Sequence, residues 1–441
     1  MKHYSKKSIK TATYFLWAFG LLFLIACGGD KKNGATPESA LDLGPDNAGL
    51  TLPDGFGALK VADSLGKPRH IAVNAQGGIY VKLEKSGEGK GILYLEDDDG
   101  NGSAEVKMGF GDYGGTGILL DKGGLYASSN SEVFRYKVDA DGKVVDPASV
   151  DTLITGLIDR RQHNSKSIAL DDSGNIYVNI GAYSNSCQKE DRTLGSMGMR
   201  PCPILDSAGG IWQFRTDRTK QSYGDGKRFA TGLRNVVGLD WNERDDHLFV
   251  MQHGRDQLNT LFPDLYDAET SADLPAETMY RLEEGSDAGW PYIYYDQNQD
   301  KKILAPEYGG DGKKTGPGDI QDPIVAFPGH LAPNALLFYT GDMFPEKYRN
   351  GAFVAFHGSW NRAPEEQEGY NVAFVPFENG RPSGDYEIFA DGFAGTDPIM
   401  SPDAAKHRPT GLAQGPDGSL YVSDDQGGTL FRIVYTDNAD Q

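Results

Sequence analysis

The sequence predicts an all-β fold arranged as a six-bladed β-propeller, and three observations carry that prediction. One phrase recurs six times: an apolar strand, a turn with Gly or Asp, then a second strand with an aromatic residue. The early copies return at about 40–50 residues, the period of propeller blades. Glycine is abundant, 57 of 441 residues, while long amphipathic helical patterns are scarce. A pair of β-sandwiches is the structural alternative. Hydrophobic residues make up 38 % and aromatics 11 % of the chain, enough for one large β-domain core. The 63 acidic against 43 basic residues give a net charge of −20, which lacks the basic footprint of a general nucleic-acid binder. Three cysteines exclude a disulfide-rich scaffold and a four-cysteine zinc site.

The N-terminus reads as an address. Lys2, Lys6, Lys7 and Lys10 precede an apolar run over residues 14–26 that ends in Leu24-Ile25-Ala26-Cys27. That run is shorter than the ~20 residues of a bilayer span. It resembles a bacterial lipoprotein signal, in which Cys27 would carry the lipid; a plain secretory signal is the other reading. The expected organisation is a signal over 1–27, a flexible tether over 28–52 and a propeller over 53–437. Export implies an oxidising compartment, so Cys187 and Cys202 can pair, with two free thiols as the alternative.

The six copies follow in order. They are Ile71-Ala72-Val73 with Ile79-Tyr80-Val81, Ile118-Leu119-Leu120 with Leu125-Tyr126, and Ile168-Ala169-Leu170 with Ile176-Tyr177-Val178. Then come Gly238-Leu239-Asp240 with Leu248-Phe249-Val250, a looser Leu336-Leu337-Phe338 with Ala352-Phe353-Val354, and Gly411-Leu412-Ala413 with Leu420-Tyr421-Val422. An insertion rich in Asp, Gly and Pro lies at roughly 255–325 between the fourth and fifth copies. Basic groups precede five of the six inner strands: Arg69-His70, His163, Arg234, His330 and Lys406-His407-Arg408. Equivalent positions in blades lie at equivalent places around the axis, so these groups are expected at one end of the channel, as a ring suited to an anionic ligand. The bland reading of each, a solvated loop charge, weakens when five share one phase.

Four stretches carry a family resemblance: Gly232-Leu233-Arg234-Asn235-Val236-Val237-Gly238-Leu239, Gly289-Trp290-Pro291, Phe353-Val354-Ala355-Phe356-His357-Gly358-Ser359-Trp360-Asn361-Arg362, and Arg408-Pro409-Thr410-Gly411-Leu412. Over about residues 53–435 the chain resembles the soluble quinoprotein sugar dehydrogenases, in the sorbosone and pyranose dehydrogenase branch. The resemblance implies a six-bladed propeller holding pyrroloquinoline quinone, a tricarboxylate, together with calcium. It implies that His163 is the general base toward the substrate hydroxyl and that Arg234 and Asn235 contact the quinone. It assigns Arg408 to a cofactor carboxylate, with His330, Arg362 and Arg69 as further cofactor contacts. It places main-chain carbonyls of Gly254 and Arg255 on the calcium. A lysine that binds the cofactor in the glucose-oxidising members has no clear match, and Arg362 is its candidate replacement.

The implied function is oxidation of a sugar or sugar aldehyde, with electrons leaving to an external cytochrome or quinone and the membrane met only through the N-terminal lipid. No CxxCH haem motif is present. Two other classes compete: a calcium-dependent propeller hydrolase such as a lactonase, and a non-catalytic propeller with Trp360, Tyr183 and Trp290 as stacking platforms. The run Asp97-Asp98-Asp99-Gly100-Asn101-Gly102 imitates half of an EF-hand loop, but position twelve is Met108, which favours a polar hairpin turn.

Overall fold

The computed structural model describes residues 41, 43–121 and 123–436. Cys27 and the signal therefore lie outside the described residues. Six antiparallel sheets of four main strands each form the blades, and the innermost strands of successive blades touch in a closed ring. Those inner strands are Pro68–Val73, Ile118–Asp121, Ile168–Leu170, Val236–Asn242, Pro333–Phe338 and Pro409–Gln414. Each pairs with the second strand of its repeat, so all six hairpins expected from the sequence are present.

The recurrent polar turn has a local cause. Asn74 Oδ1 accepts the N–H groups of Gln76 and Gly78, Asp171 Oδ1 those of Ser173 and Asn175, and Asn242 Oδ1 those of Arg244 and Asp245. Each short side chain caps the amides that the turn leaves unpaired. The EF-hand-like run closes the same way: Asp97 accepts the N–H groups of Gly100, Asn101 and Gly102 in a hairpin turn.

The sixth blade takes its outer strand, Phe56–Ala62, from the start of the domain, where it pairs with Leu430–Tyr435. Phe56 meets Phe344, Phe389 and Tyr348 edge-on at 4.9, 5.0 and 5.4 Å, which ties the ends of the chain to blades five and six. Here the expectation of a tether running to residue 52 needs correction. Leu50 is buried in the same core, and Thr51 bridges Asp391.

The insertion divides in two. Helices Leu258–Leu261 and Ala268–Asp273 lie between the second and third strands of blade four, and the hairpin Ile293–Asp296/Lys301–Leu304 lies between its third and fourth. Loops that precede inner strands and loops that follow second strands share one end of the propeller, the upper face. At the other end the channel opens into a cavity of about 200 Å³ lined by Asp121, Asp171, Asp240 and Glu243.

Candidate functional site

The upper face brings most of the expected residues together, but not as free cations. Two aspartates organise them. Asp256 Oδ2 accepts Nη2 of Arg234 at 2.7 Å and Nη2 of Arg192 at 2.8 Å. Its Oδ1 accepts Asn361 Nδ2 at 3.1 Å and lies 3.9 Å from His330 Nδ1. Burial pushes the Asp256 carboxyl up, yet the charges of Arg234 and Arg192 outweigh burial and hold it well below the usual range. Across the channel, Asp425 accepts Arg69 Nη1 and His357 Nε2, each at 2.8 Å. Arg408 then bonds His357 Nδ1 at 3.0 Å and the Gly358 carbonyl at 2.7 Å. The Asp425 carboxyl is likewise pushed up by burial and pulled further down by His357, Arg69 and Arg408.

The histidines are neutral at pH 7. Burial, with the Arg234 charge second, lowers His163 to about 3 and His253 to about 3. Burial also lowers His330 and His357, although the nearby aspartates oppose it. The ring expected from the sequence is therefore corrected: its charge resides in Arg69, Arg192, Arg234 and Arg408, opposed by Asp256 and Asp425.

His163 follows a sharp turn with φ +51°, and His330 has φ +68°. Backbone held in this region by non-glycine residues is strained and is a mark of functional sites. His163 Nδ1 lies 2.5 Å from the Ala182 carbonyl, which can only accept. Nδ1 thus carries the proton and Nε2 keeps its lone pair. Gly181 makes this approach possible, because a Cβ there would sit 2.6 Å from His163 Cβ and 2.9 Å from Asn235 Oδ1. Gln162, beside His163, donates to Asp191, which also accepts from Ser184 Oγ. Asp191 and Arg192 belong to a loop closed by a Cys187–Cys202 disulfide.

Two of the expected cofactor contacts, Arg362 and His330, are engaged within the protein. Arg362 is buried and holds the carbonyls of Ala272, Gly329 and Glu366 and the carboxylate of Glu368, so it braces loops. The Arg255 side chain pairs with buried Glu307 at 2.6 Å and bonds the Asp256 carbonyl, which anchors the insertion hairpin. His330 Nε2 bonds the Ser271 carbonyl, so it backs Asp256 and does not offer a free ring nitrogen donor. Gly254 sits in the site: its carbonyl accepts Arg234 Nη1 at 2.7 Å, and its N–H donates to Glu277. Burial pushes Glu277 up to about 7.

The sequence reading missed Asp256, Asp425, Arg192, Glu277, His253 and His357. A signal existed for three of them. Gly181, His253, His357 and Asp425 each immediately follow a second strand, so they share a phase as the bases do.

The residues fit an anionic, polyoxygenated cofactor. Arg69 Nε is a buried donor without a partner and, with the arginine excess, favours carboxylates, while the buried, unpartnered Asn235 Oδ1 and Asn361 Oδ1 are acceptors that suit a ligand donor or a cation. For calcium the chain supplies less. Among the described residues no three His, Cys, Asp or Glu side chains converge as metal ligands. Calcium takes 6–8 oxygens, and the Gly254 carbonyl already serves Arg234, so the shell needs the cofactor's own oxygens.

The chain has clear relatives. A pyrroloquinoline quinone-dependent sugar dehydrogenase of Hypocrea jecorina is 24 % identical over 420 residues, covering 88 % of this chain and 90 % of the relative. A pyrroloquinoline quinone-dependent pyranose dehydrogenase of Coprinopsis cinerea is 24 % identical over 425 residues, covering 87 % of this chain and 54 % of the relative. The chain thus spans about half the length of that second protein. A calcium structure of the Trichoderma reesei carbohydrate-active enzyme of family AA12 superposes with a TM-score of 0.68 at 20 % identity, covering 88 % of this chain and 97 % of that one. That likeness establishes the shared fold. A family model described as TrAA12-like matches residues 50–436, and on that match the chain belongs to the TrAA12-like family.

Proposed function

We propose that the chain is a quinoprotein dehydrogenase that oxidises a sugar or sugar aldehyde, aldose- or sorbosone-like, with pyrroloquinoline quinone as resident cofactor and calcium held between that cofactor and the Gly254–Arg255 main chain. The observation that carries the reading is the neutral His163, with Nδ1 fixed on Ala182 and Nε2 free, beside Arg234 and Asn235. The names of the Hypocrea and Coprinopsis relatives support the same chemistry.

His163 Nε2 takes the proton of the substrate hydroxyl. The Ala182 carbonyl keeps the ring from turning, and Asp256 offsets the charge that protonation brings near Arg234. Arg69 and Arg408 would hold the cofactor's carboxylates, and Asn235 would offer it an amide. When bound, the quinone supplies the two-electron oxidant. His163 would be held at a higher pKa beside a negatively charged cofactor, since nearby negative charge stabilises the imidazolium.

The purified protein is to be titrated with pyrroloquinoline quinone and calcium, then assayed for dye reduction with aldoses and aldehydes. His163→Ala should keep cofactor binding and lose roughly 10²-fold or more in turnover. Absence of any cofactor binding overturns the reading. The same proposal has the chain exported and lipid-anchored at Cys27, with electrons passing to a cytochrome or quinone partner. The disulfide supports an oxidising compartment. Fatty-acid labelling that survives Cys27→Ala would refute the anchor.

A further inference from the structure

Arg408 differs from the other arginines of the site. Arg69 pairs with Asp425 at 2.8 Å, and Arg192 and Arg234 pair with Asp256 at 2.8 and 2.7 Å. Among the described residues the Arg408 guanidinium makes no such ion pair, although Asp425 is near enough for its charge to act on it. Neutral groups hold it instead. Nε donates to the His357 carbonyl at 3.1 Å, and Nη2 donates to the Gly358 carbonyl at 2.7 Å and to His357 Nδ1 at 3.0 Å. The Tyr370 ring lies 5.9 Å from Arg408 Cζ. Two nitrogens of the guanidinium are thus fixed, and Nη1 is left without a bond to the described residues.

The ring between Arg408 and Asp425 has one proton arrangement open to it. A guanidinium can only donate, so His357 Nδ1 accepts. The neutral ring then carries its proton on Nε2, which donates to Asp425 Oδ1 at 2.8 Å. This is the opposite tautomer to that of His163. Burial keeps His357 low, with the Asp425 charge opposing. Asp425 therefore uses Oδ2 on Arg69 and Oδ1 on a neutral imidazole. Were Oδ1 empty, the carboxylate would draw Arg408 into a direct pair, as Asp256 draws Arg234. A direct pair would orient Arg408 and offset its charge at once. The imidazole orients it and leaves the charge in place.

We propose that His357 is a positioning residue: its neutral ring separates Asp425 from Arg408 and keeps Arg408 an unpaired cation, aligned for a carboxylate of the ligand. The inference rests on the quinoprotein reading, which supplies that carboxylate, and deepens it by dividing the labour between two arginines. Arg69 is anchored by an ion pair, while Arg408 is anchored without one and offers the ligand its full charge.

The test titrates the full chain with pyrroloquinoline quinone at fixed calcium, by calorimetry. His357→Leu should weaken quinone binding roughly tenfold, about 1.4 kcal/mol. His357→Gln should restore most of the affinity, because its amide can accept from Arg408 and donate to Asp425. Asp425→Asn should recover more affinity in the His357→Leu chain than it adds to the wild type, since only there has the carboxylate captured Arg408. A Gln variant no better than Leu overturns the proposal, and so does an Asp425→Asn effect of equal size in both backgrounds. Long-range proton–nitrogen NMR spectra of the histidine-labelled chain read the tautomer with no ligand present, the His357 signals being those lost in His357→Gln. They should place the proton on Nε2. A wild type that binds no quinone ends the quinoprotein reading, while the spectra still decide the spacer: a proton on Nδ1 excludes the bond from Arg408 and refutes it.

Discussion

Replacing His163 by Gln tests the premise on which the chemistry rests, that this half-buried imidazole is neutral in the resting protein. Glutamine keeps an N–H that can reach the Ala182 carbonyl, and it removes the titration. The magnitude follows from linkage. An unfolded histidine binds its proton near pH 6.5, whereas His163 in the folded chain waits until about 3. Between those values the unfolded chain holds more protons, so stability is present above 6.5 and falls as pH drops through this window. From pH 7 to pH 5 the loss through this one group is about 2 kcal/mol. Other groups act in the same range. His70 is lowered to about 4 by burial, whereas burial raises Asp240 and Glu277 to about 7, and those carboxyls gain stability as the pH falls. The wild-type profile alone is therefore shallow and ambiguous, and the informative quantity is the difference between the two proteins. Urea unfolding at pH 7 and pH 5 should show the wild type losing about 2 kcal/mol more than His163→Gln. Saturating pyrroloquinoline quinone should shrink that gap, because its carboxylates raise His163. Equal losses in the two proteins would mean that His163 titrates normally in the fold, and the proton-transfer role would lose its structural support.

Two other outcomes follow from the site. Cys202→Ser should lower stability by about 2–4 kcal/mol and weaken cofactor binding, since the loop it opens carries Arg192 and Asp191; denaturant melts and quinone titrations check both. Calcium should bind weakly to the cofactor-free chain and at least tenfold more tightly with quinone present, with reciprocal tightening of the quinone. Calorimetry in both orders of addition measures this, and strong calcium binding without quinone would show a complete protein-only shell.

The hairpins were legible because their causes are local. Alternating apolar residues and a short Asn or Asp at the turn suffice to place Asp171 before Ile176-Tyr177-Val178, whatever the rest of the chain does. The closure of blade six was not legible, because Phe56–Ala62 pairs with a strand at the other end of the sequence. The insertion also resisted reading. Its hairpin is anchored by Arg255 on Glu307, a contact fixed only by the tertiary fold. In the site, the bases stood out by their shared phase, but phase cannot say which way a side chain turns. Arg234 and Arg362 look alike in sequence; one joins Asp256, the other braces loop carbonyls. The two aspartates were missed for a related reason. Asp425 has the phase of the loops that follow second strands, but that phase does not announce its pairing with Arg69 across 356 positions.

Those aspartates change what the site is built to do. A ring of unpaired cations would hold any anion, and its charges would repel one another when empty. Two arginine–aspartate clusters behave differently. Each aspartate fixes the direction of its guanidinium groups before a ligand arrives, so less freedom is lost on binding. Each also reduces the net positive charge. Affinity then depends on geometry more than on charge number: a ligand must present oxygens where Arg69 and Arg408 point while leaving Asn235 and His163 free to meet its reactive end. A simple inorganic anion satisfies the first requirement and not the second. A rigid polycarboxylate with a separate reactive carbonyl satisfies both. The pairing that obscured the site in the sequence is thus the feature that makes it selective.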